Sequence, residues 1–320
     1  MREPRTLLTS ASGRRFESGG VKLAITGGTG FVGARLLDAA MNAGHDVRAL
    51  TRRTMPARRS IEWVPGALDQ PAALEALTAG ADAVIHLAGV ISGRSAADFA
   101  CNVDGTRALL DAARAGGVRK FVHVSSLAAR EPELSLYGAS KAQSEELVTQ
   151  SALAWAIVRP PAVYGPGDKE TLELFKMAKR GVVLLPPPGR LSLIHADDLV
   201  ALLLALAGPG APNRLTIEPD DGRRGGWTHK EFADALAGSL GRRAASVSVP
   251  AAMLKLGAKA DRLLRGKAAK LTADRAAYFS HPDWVVDPAL AVAPEFWAPR
   301  IATPQGLAAT AAWYRAQGWL

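Results

Sequence analysis

The chain has 320 residues, of which 48% are hydrophobic and 22% charged, as in a globular protein with a sizeable core and unlike a disordered chain. The net charge of +9 favours anionic ligands or surfaces, but the arginines are spread along the chain and no nucleic-acid module is evident. Cys101 is the single cysteine, which excludes an intrachain disulfide and predicts a cytoplasmic location, and the scattered histidines predict no metal site.

The chain begins with a predicted flexible tail over residues 1–20, which lacks apolar periodicity and is rich in Arg, Ser and Gly. A short apolar strand, VKLAIT, starts at Val21 and leads directly into GGTGFVG and the helical run ARLLDAAMNAG. Gly27, Gly30 and Gly33 therefore stand between a strand and a helix. Glycine there permits a tight turn, close approach of a pyrophosphate and close packing of the helix on the strand. The segment predicts a dinucleotide-binding site.

The second predicted strand, HDVRAL, ends at a position that distinguishes the two nicotinamide cofactors. NAD-binding proteins place an acidic residue there for the ribose 2′-hydroxyl, whereas NADP requires a cation. This chain has Thr51, Arg52 and Arg53 instead. Arg52 could pair with a 2′-phosphate, so NADP is favoured over NAD. The alternative is that both arginines are ordinary loop charges.

Strands and helices continue to alternate. IEWVPG predicts a third strand, PAALEALTAG a helix, and ADAVIHLAG a buried strand in which His86 is interpreted as a core histidine. A helix is predicted from Ala96 to Ala115. Asn102 in its middle is unusual by propensity and is interpreted as a local bend solvated by water. The alternation predicts a doubly wound parallel sheet.

The stretch FVHVSSLAAREPELSLYGASK, from Phe121 to Lys141, carries the residues that predict chemistry. It opens as a buried strand that ends in Ser125 and Ser126 and continues through a loop to Tyr137. If Tyr137 begins a helix, Lys141 lies one turn further along the same face, where its ammonium would lower the pKa of the phenol. A serine hydroxyl at the strand end would hold a substrate oxygen beside that phenol. The pattern predicts an acid–base site.

Beyond this stretch, LAWAIVRP predicts a sixth strand that ends in the turn RPPAVYGPGD, and TLELFKMAKRG predicts a helix. VVLLPPPG is predicted to be an irregular loop. LSLIHADDLVALLLALAG predicts a strand and a buried helix, and NRLTIEP a last strand of the sheet. His195, Asp197 and Asp198 are interpreted as a structural link with an acidic N-cap rather than a catalytic cluster.

Two helices are predicted beyond Asp220. THKEFADALAGSLG begins with Thr228 and has Glu231 three residues later, the pattern of a capping box. The run from Ala251 to Arg265 separates an apolar face from a basic face. The apolar residues are Met253, Leu256, Ala260, Leu263 and Leu264, and the basic ones are Lys255, Lys259, Arg262 and Arg265. We expect the apolar face to pack on its own domain, and contact with an anionic membrane surface is the less favoured alternative.

Taken in order, the motifs TGGTGFVG, HLAG, NVDGT, VSS, YGASK, RPPAVYGPGD and HADDLV resemble the extended short-chain dehydrogenase/reductase family, also described as the NAD-dependent epimerase/dehydratase group. The resemblance implies an α/β fold, a doubly wound parallel sheet of Rossmann type with a smaller α+β C-terminal substrate domain. The NAD(P)-binding domain would span residues 21–165 and include a returning segment near 191–220. The substrate-binding domain would comprise residues 166–190 and 221–320.

The resemblance also implies roles for individual residues. Tyr137 would be the acid–base residue, Lys141 would bind the nicotinamide ribose and lower the tyrosine pKa, and Ser126 rather than Ser125 would be the catalytic serine. Asn102 matches an asparagine that helps to maintain the active site. The implied cofactor-binding residues are Gly27, Thr29, Gly30, Phe31, Val32, Gly33, Arg52, Leu68, Leu87, Ala88, Gly89, Tyr137, Lys141, Pro160 and Val163.

Two departures from the family pattern narrow the expected chemistry. Ala67 stands where many relatives have an aspartate that meets the adenine. Leu127 and Ala128 follow Ser126, whereas the sugar dehydratases of the family carry an acidic pair there. The second departure counts against dehydration.

The function expected from the resemblance is hydride transfer between NADP, or less favourably NAD, and a carbonyl or secondary alcohol of a small-molecule substrate. A nucleotide-sugar epimerase that uses the same site is one alternative. A non-catalytic NADP-binding scaffold or sensor is another, which the intact set of Ser126, Tyr137 and Lys141 disfavours. Family members often form dimers through the helices that carry Asn102 and Tyr137, so a homodimer is left open.

Overall fold

The computed structural model describes residues 20–93, 95–266 and 272–320, without the side chains of Lys255, Arg262 and Leu264. The predicted tail over residues 1–20 therefore lies outside the described residues, except for Gly20.

The elements below are numbered in chain order over the described residues. The strands are β1 Lys22–Thr26, β2 Asp46–Thr51, β3 Ile61–Pro65, β4 Ala83–His86, β5 Lys120–Val124, β6 Ala154–Val158, β7 Ala162–Tyr164, β8 Val182–Leu185, β9 Arg190–Leu191, β10 Leu193–His195, β11 Leu215–Ile217, β12 Trp227–Thr228, β13 Ala245–Ser248 and β14 Asp283–Trp284. The helices are α1 Phe31–Asn42, α2 Pro71–Thr78, α3 Ala96–Ala115, α4 Leu136–Thr149, α5 Glu170–Lys179, α6 Ala196–Ala207, α7 His229–Ser239, α8 Ala251–Arg265, α9 Ala273–Ser280 and α10 Thr303–Ala316.

A seven-stranded sheet in the order β11-β6-β5-β4-β1-β2-β3 organises the fold, and each neighbouring pair of strands is parallel. Parallel strands need crossover connections, and most of these contain a helix. Strand β1 lies between β4 and β2, so the strand order reverses there. In sheets of this kind ligands bind at that point, outside the carboxyl ends of the strands. The predicted doubly wound parallel sheet is confirmed.

Both faces of the sheet are covered because side chains alternate along each strand. Leu23 and Ile25 of β1 join one apolar core, together with Leu36 of α1 and Leu199 of α6. Ala24 joins the opposite core, which includes residues of α2, α3 and α4. The loop after β1 therefore emerges between two layers of helices.

A third apolar core lies in the C-terminal region and is built largely from helices. Phe175 of α5, Leu236 of α7 and Tyr314 of α10 are fully buried in it. The accompanying sheets are short and have the orders β12-β9-β14, β10-β7 and β13-β8. The domain boundaries near residues 165, 190 and 220 stay predictions.

The segment VVLLPPPG contains a strand, so its prediction as an irregular loop is wrong. Strand β8 pairs in parallel with β13, from Val182 opposite Ala245 to Leu185 opposite Ser248. Valine and leucine suit a pleated strand, and Pro186 ends it because proline cannot donate to a ladder. The proline run is typical of a loop, and β13, the partner of β8, lies far along the chain.

Helix α8 forms over the predicted range, but the expected packing of its apolar face is wrong. Met253, Leu256 and Leu263 are 61%, 67% and 86% exposed. The inward side instead carries Leu254, which is half-buried, and Ala258, which is buried. Periodicity identifies the apolar face of a helix but not what covers it. Among the described helices, none is both long enough and apolar enough to cross a bilayer.

Candidate active site

The glycine loop after β1 turns too tightly for side chains at two positions. Gly27 has a φ of +75°, and a Cβ there would lie 2.7 Å from the amide nitrogen of Ala88. At Gly33 a Cβ would lie 2.0 Å from the carbonyl oxygen of Gly27, so α1 can approach the loop only with glycine there. The amide of Gly30 donates to the Gly27 carbonyl at 3.0 Å and closes the turn.

The amino terminus of α1 presents backbone amides to this loop. Gly30 is the N-cap and provides no side chain to bond them. Thr29 precedes the cap, Phe31 and Val32 begin the helix, and all three are half-buried. Free amides at the positive end of a helix dipole attract an anion such as a pyrophosphate.

Buried polar side chains join the ends of β1 and β4 beneath the loop. Thr26 Oγ1 lies 2.6 Å from His86 Nδ1 and accepts from the amide of Ala88 at 3.2 Å. His86 Nε2 lies 3.0 Å from Thr106 Oγ1 of α3. Burial lowers the pKa of His86 to about 3, so its ring is neutral. His86 is a core histidine, as predicted, and the network holds residues 87–89 beside the glycine loop.

Asn102 ties the loop after β4 to the helix that carries Tyr137. Its Oδ1 accepts from the amide of Val90 at 2.7 Å, and its Nδ2 donates to the Val90 carbonyl and to Ser140 Oγ, both at 2.9 Å. Ser140 donates in turn to the carbonyl of Tyr137 at 2.8 Å. Asn102 is 2% exposed and its amide is bonded to protein, so the predicted water-solvated helix bend is wrong.

Helix α4 places the predicted tyrosine and lysine as their spacing indicates. The helix begins at Leu136, so Tyr137 stands in its first turn and Lys141 one turn further on. Ser135 is the N-cap, and its side chain accepts from the amide of Gly138 at 2.9 Å.

Tyr137 is half-buried, and its surroundings favour the neutral phenol. Burial raises the pKa of Tyr137, while a side-chain hydrogen bond with Ser126 opposes that rise. The ring centroid of Phe99 lies 6.3 Å from that of Tyr137. The structure therefore brings Ser126 and Tyr137 together from two elements, the end of β5 and the start of α4.

Lys141 is buried, and its ammonium is held by the sheet. Its Nζ donates to the carbonyl of Val124 at 2.8 Å. Burial lowers the pKa of Lys141 to about 8, and the nearby Glu145 carboxylate limits that fall. The sequence predicted that Lys141 lowers the pKa of Tyr137, but in the structure burial dominates and the pKa of Tyr137 rises.

The two serines at the end of β5 have different surroundings. Ser126 is half-buried and caps the short helical turn Leu127–Arg130, where its Oγ accepts from the amide of Ala128 at 3.2 Å. Ser125 is 5% exposed, and its Oγ has no hydrogen-bond partner within residues 20–93, 95–266 and 272–320. The hydrogen bond with Tyr137 favours Ser126 as the serine beside the phenol.

The remaining predicted cofactor residues follow strands at the same edge of the fold. Arg52 follows β2, and its side chain is exposed. Leu68 follows β3, and its side chain packs closely on Gly105 of α3. A Cβ added at Gly105 would lie only 2.7 Å from Leu68 Cδ1. Pro160 follows β6, and Val163 lies in β7. Parallel strands share one carboxyl edge, which is why residues distant in sequence come to this edge.

His195, Asp197 and Asp198 form a structural link, as predicted, but the predicted acidic N-cap is wrong, because the two aspartates lie in the first turn of α6. His195 is the N-cap of α6, and its Nδ1 accepts from the amide of Asp197 at 3.2 Å. The Asp198 carboxylate accepts from the amides of Arg300 and Ile301 at 3.1 and 3.0 Å. The cluster connects α6 to the segment before α10.

Two aromatic residues beside Tyr137 were not predicted. Phe99 lies three residues before Asn102 on α3, and this spacing could have placed both on one helix face. Tyr278 of α9 stacks on Trp284 with ring centroids 4.5 Å apart, and its pKa is raised by burial and by Tyr137. No local pattern marks Tyr278, because its proximity depends on the packing of a distant helix.

The residues at this edge fit a nicotinamide dinucleotide. A side chain is excluded at Gly27 and Gly33, which leaves the backbone open to a ligand, and the α1 amides can receive an anion. Ser125 contributes a buried hydroxyl that has no partner among the described residues. Such an unpaired buried group is satisfied when a ligand supplies the missing hydrogen bond.

Comparison with known proteins identifies the family. Residues 23–214 match the model of the NAD dependent epimerase/dehydratase family. Over 308 residues the chain is 40% identical to the "Ceramide reductase" of Caulobacter vibrioides, and this alignment covers 93% of this chain and 96% of that protein. Over 194 residues it is 30% identical to the "3 beta-hydroxysteroid dehydrogenase/Delta 5-->4-isomerase" of Mycobacterium tuberculosis, which covers 51% of this chain and 52% of that protein.

The fold is similar to that of solved enzymes. The Bordetella bronchiseptica enzyme WbmG in complex with NAD superposes with a TM-score of 0.74 at 20% identity, over 95% of this chain and 96% of that chain. The family model covers more than half of the chain, and the Caulobacter relative is similar almost from end to end. The chain therefore belongs to the nicotinamide-dependent NAD dependent epimerase/dehydratase family, and it is an oxidoreductase or epimerase of the short-chain dehydrogenase/reductase type.

Proposed function

We propose that the protein reduces a ketone on a long-chain, ceramide-like lipid to a secondary alcohol. The observation that carries this proposal is the 40% identity to the Caulobacter "Ceramide reductase" over 93% of the chain. The surroundings of Tyr137 support it, since the neighbouring Leu136 is apolar and 37% exposed, and the ring centroid of Phe99 lies 6.3 Å from that of Tyr137. Apolar side chains suit an acyl chain, whereas a sugar nucleotide needs polar partners.

The cofactor would supply the hydride that reduces the carbonyl carbon. The α1 amides would hold its pyrophosphate, and Lys141 would hold its nicotinamide ribose. The residues proposed to line the cofactor are Gly27, Thr29, Gly30, Phe31, Val32, Gly33, Arg52, Leu68, Leu87, Ala88, Gly89, Tyr137, Lys141, Pro160 and Val163.

Tyr137 would donate the proton to the carbonyl oxygen. Because burial raises the pKa of Tyr137, its phenol is protonated at neutral pH and is ready to donate in the reductive direction. Ser126, which shares a hydrogen bond with the phenol, would hold the same substrate oxygen. The Lys141 ammonium would then favour the phenolate that remains, and Asn102 would act as a positioning residue through Val90 and Ser140.

We propose NADP as the preferred cofactor. Strand β2 ends at Thr51 and is followed by Arg52 and Arg53, without the acid that would bond a ribose 2′-hydroxyl. Arg52 is exposed, and a guanidinium there can form charge-assisted hydrogen bonds with a 2′-phosphate. The absence of a carboxylate also removes the repulsion that would exclude NADP.

Two rival functions use the same site. An epimerase would oxidise a nucleotide sugar and reduce it again from the other face, without net cofactor oxidation. A non-catalytic scaffold or sensor would bind the nucleotide without needing Ser126, Tyr137 and Lys141. Dehydration is disfavoured because Leu127 and Ala128 follow Ser126.

We also propose a cytoplasmic location and a substrate domain formed by residues 166–190 and 221–320. A homodimer through the helices that carry Asn102 and Tyr137 is proposed as an assembly to test. Sedimentation analysis of the purified protein would distinguish a dimer from a monomer.

The variant Tyr137→Phe tests the proposed chemistry. It removes the proton donor and keeps the aromatic ring beside Phe99, so we expect turnover of a ceramide-like ketone to fall about 10²- to 10⁴-fold. Nucleotide affinity, measured by fluorescence titration, should be retained. Undiminished turnover in this variant would exclude Tyr137 as the acid.

Tyr278→Phe is the matched control. It removes a neighbouring phenol hydroxyl that has no assigned role in proton transfer, so most of the turnover should remain. If both variants lose activity equally, the defect lies in the packing around Tyr137 rather than in its proton.

A further inference from the structure

We propose that α8 docks the protein on the surface of an anionic phospholipid bilayer. The docking face consists of Met253, Leu256, Ala260 and Leu263, which follow one another at helical spacing along one side of α8. The three large residues are 61%, 67% and 86% exposed. A contiguous apolar stripe on a helix marks an interaction surface, because its exposure to water is unfavourable.

The docking face is not needed for the packing of α8 on its own fold. The inward side carries the half-buried Leu254 and the buried Ala258, and α8 packs against α9. Leu254 and Ala258 are one turn apart and lie on the side opposite to Leu256 and Ala260. The helix is therefore attached through one side and leaves the other available.

The charge of the helix is complementary to an anionic bilayer. Lys259 and Arg265 are exposed, and the sequence of α8 contains four basic residues and the single acid Asp261. Arg265 pairs with Asp261 at 3.3 Å. Lys259, four residues before Leu263, borders the docking face, whereas Arg265 lies on the inward side of the helix. A helix with an apolar face and basic residues at its border binds in the plane of the interface, where anionic headgroups attract the basic side chains.

Helix α8 packs on an element that lies beside the proposed active site. Helix α9, on which α8 packs, carries Tyr278 beside Tyr137. The α9 residue Asp274 accepts from the amide of Leu136 at 2.5 Å, so α9 is also tied to the first turn of α4. Leu136, which precedes Tyr137, and Phe279, which follows Tyr278, are apolar and partly exposed. A lipid substrate would thus pass from the bilayer to Tyr137, a consequence that rests on the proposed function.

Two other occupants of the docking face are disfavoured by charge. A second copy would bring two identical basic helices together. Residues 1–20 contain four arginines against two glutamates, so they too would be repelled. The anionic bilayer is the occupant whose charge is opposite.

Co-sedimentation of the full-length protein with phospholipid vesicles tests the proposal. We expect binding to vesicles of phosphatidylcholine and phosphatidylglycerol, weaker binding to phosphatidylcholine alone, and a loss of binding at high ionic strength. The double variant Leu256→Gln/Leu263→Gln should bind at least about tenfold more weakly, because it removes two apolar anchors. Lys259→Gln should bind about fivefold more weakly.

Matched controls assign the binding to this face. Val182→Gln alters an exposed apolar residue on β8, Lys230→Gln removes an exposed charge on α7, and both should bind like the wild type. An unchanged melting temperature of the double variant shows that its fold is intact. Equal binding by the wild type and the double variant, or equal losses in the controls, would overturn the proposal.

The same experiments separate docking from catalysis and from self-association. Tyr137→Phe should still bind vesicles, so a failure of the proposed reduction leaves docking testable on its own. The wild type could instead fail to bind vesicles and form a dimer in sedimentation equilibrium that the variant Leu256→Gln/Leu263→Gln does not form. In that case the docking face is an interface between two copies, and the bilayer proposal is wrong.

Discussion

The two sides of the proposed site, a cofactor side at the glycine loop and a substrate side around Tyr137, are built in opposite ways. On the cofactor side the surface is backbone, with a glycine loop so close to β4 that a single Cβ at Gly27 would lie 2.7 Å from Ala88 N. Buried polar groups of Thr26, His86 and Thr106 support it. On the substrate side the surface consists of side chains on helices, such as Leu136 in the first turn of α4, which is apolar and partly exposed.

The difference indicates which property each side depends on. A backbone cradle is preorganised and has no space to adapt, so one added methyl group should disrupt it. Apolar side chains on helices can move and accept ligands of varied shape, so the substrate side should depend on apolar character rather than on exact volume. A single added methyl group should therefore disrupt binding and stability on the cofactor side more than a change of side-chain volume does on the substrate side.

Gly33→Ala is expected to have the largest effect. Its Cβ would meet the Gly27 carbonyl at 2.0 Å, and backbone cannot move aside as a side chain can. We expect a loss of about 3 kcal/mol in the free energy of unfolding and no measurable nucleotide binding. Urea denaturation and nucleotide titration measure both quantities.

Gly28→Ala is the matched control within the same loop. The three atoms nearest to its Cβ would all belong to the Leu37 side chain, the closest being Cδ1 at 3.1 Å, and a side chain can shift where backbone cannot. A stability loss of about 1 kcal/mol or less is expected. If the two variants are equally destabilised, the cofactor side is not limited by backbone contact.

The cofactor side was predictable from sequence because its signals are local. The helix predicted from Ala96 to Ala115 has those bounds in the structure, and the strand before Ser125 and the spacing of Tyr137 and Lys141 were also found. Glycine turns and strand ends are set by neighbouring residues, so a single sequence contains them.

The substrate side was not predictable to the same degree because it depends on distant contacts. The outward orientation of Leu256 and the proximity of Tyr278 to Tyr137 follow from how α8 and α9 pack. The strand β8 exists because β13 pairs with it. The rise in the pKa of Tyr137 likewise depends on burial, which spacing along a helix does not reveal.

Ser126→Ala tests the residue proposed to hold the substrate oxygen beside Tyr137. Ser126 shares a hydrogen bond with Tyr137, so we expect turnover to fall about 10²-fold when the hydroxyl that holds the substrate oxygen is removed. Ser125→Ala removes a buried hydroxyl that has no partner among the described residues, and turnover should fall less. Steady-state rates of the two variants are compared at saturating cofactor. A lower rate for Ser125→Ala than for Ser126→Ala would contradict the assignment of Ser126 as the catalytic serine.

Arg52→Ala should produce the smallest effect and should be confined to one cofactor. Loss of a charge-assisted hydrogen bond to a 2′-phosphate is expected to weaken NADPH binding about tenfold and to leave NADH binding unchanged. Arg53→Ala, its exposed neighbour, is the control and should retain the preference. Wild-type protein that binds NADH at least as tightly as NADPH would contradict the proposed role of Arg52.

Transfer of deuterium from labelled cofactor tests the proposed reduction most directly. The protein is incubated with NADPH deuterated at C4 of the nicotinamide and with the ketone form of a ceramide, and the lipid product is examined by mass spectrometry. We predict that the new secondary alcohol carries the deuterium on its carbinol carbon, with one cofactor oxidised for each alcohol formed. Inversion of a nucleotide sugar without net cofactor oxidation, together with no label in the lipid, would contradict the proposal and identify an epimerase.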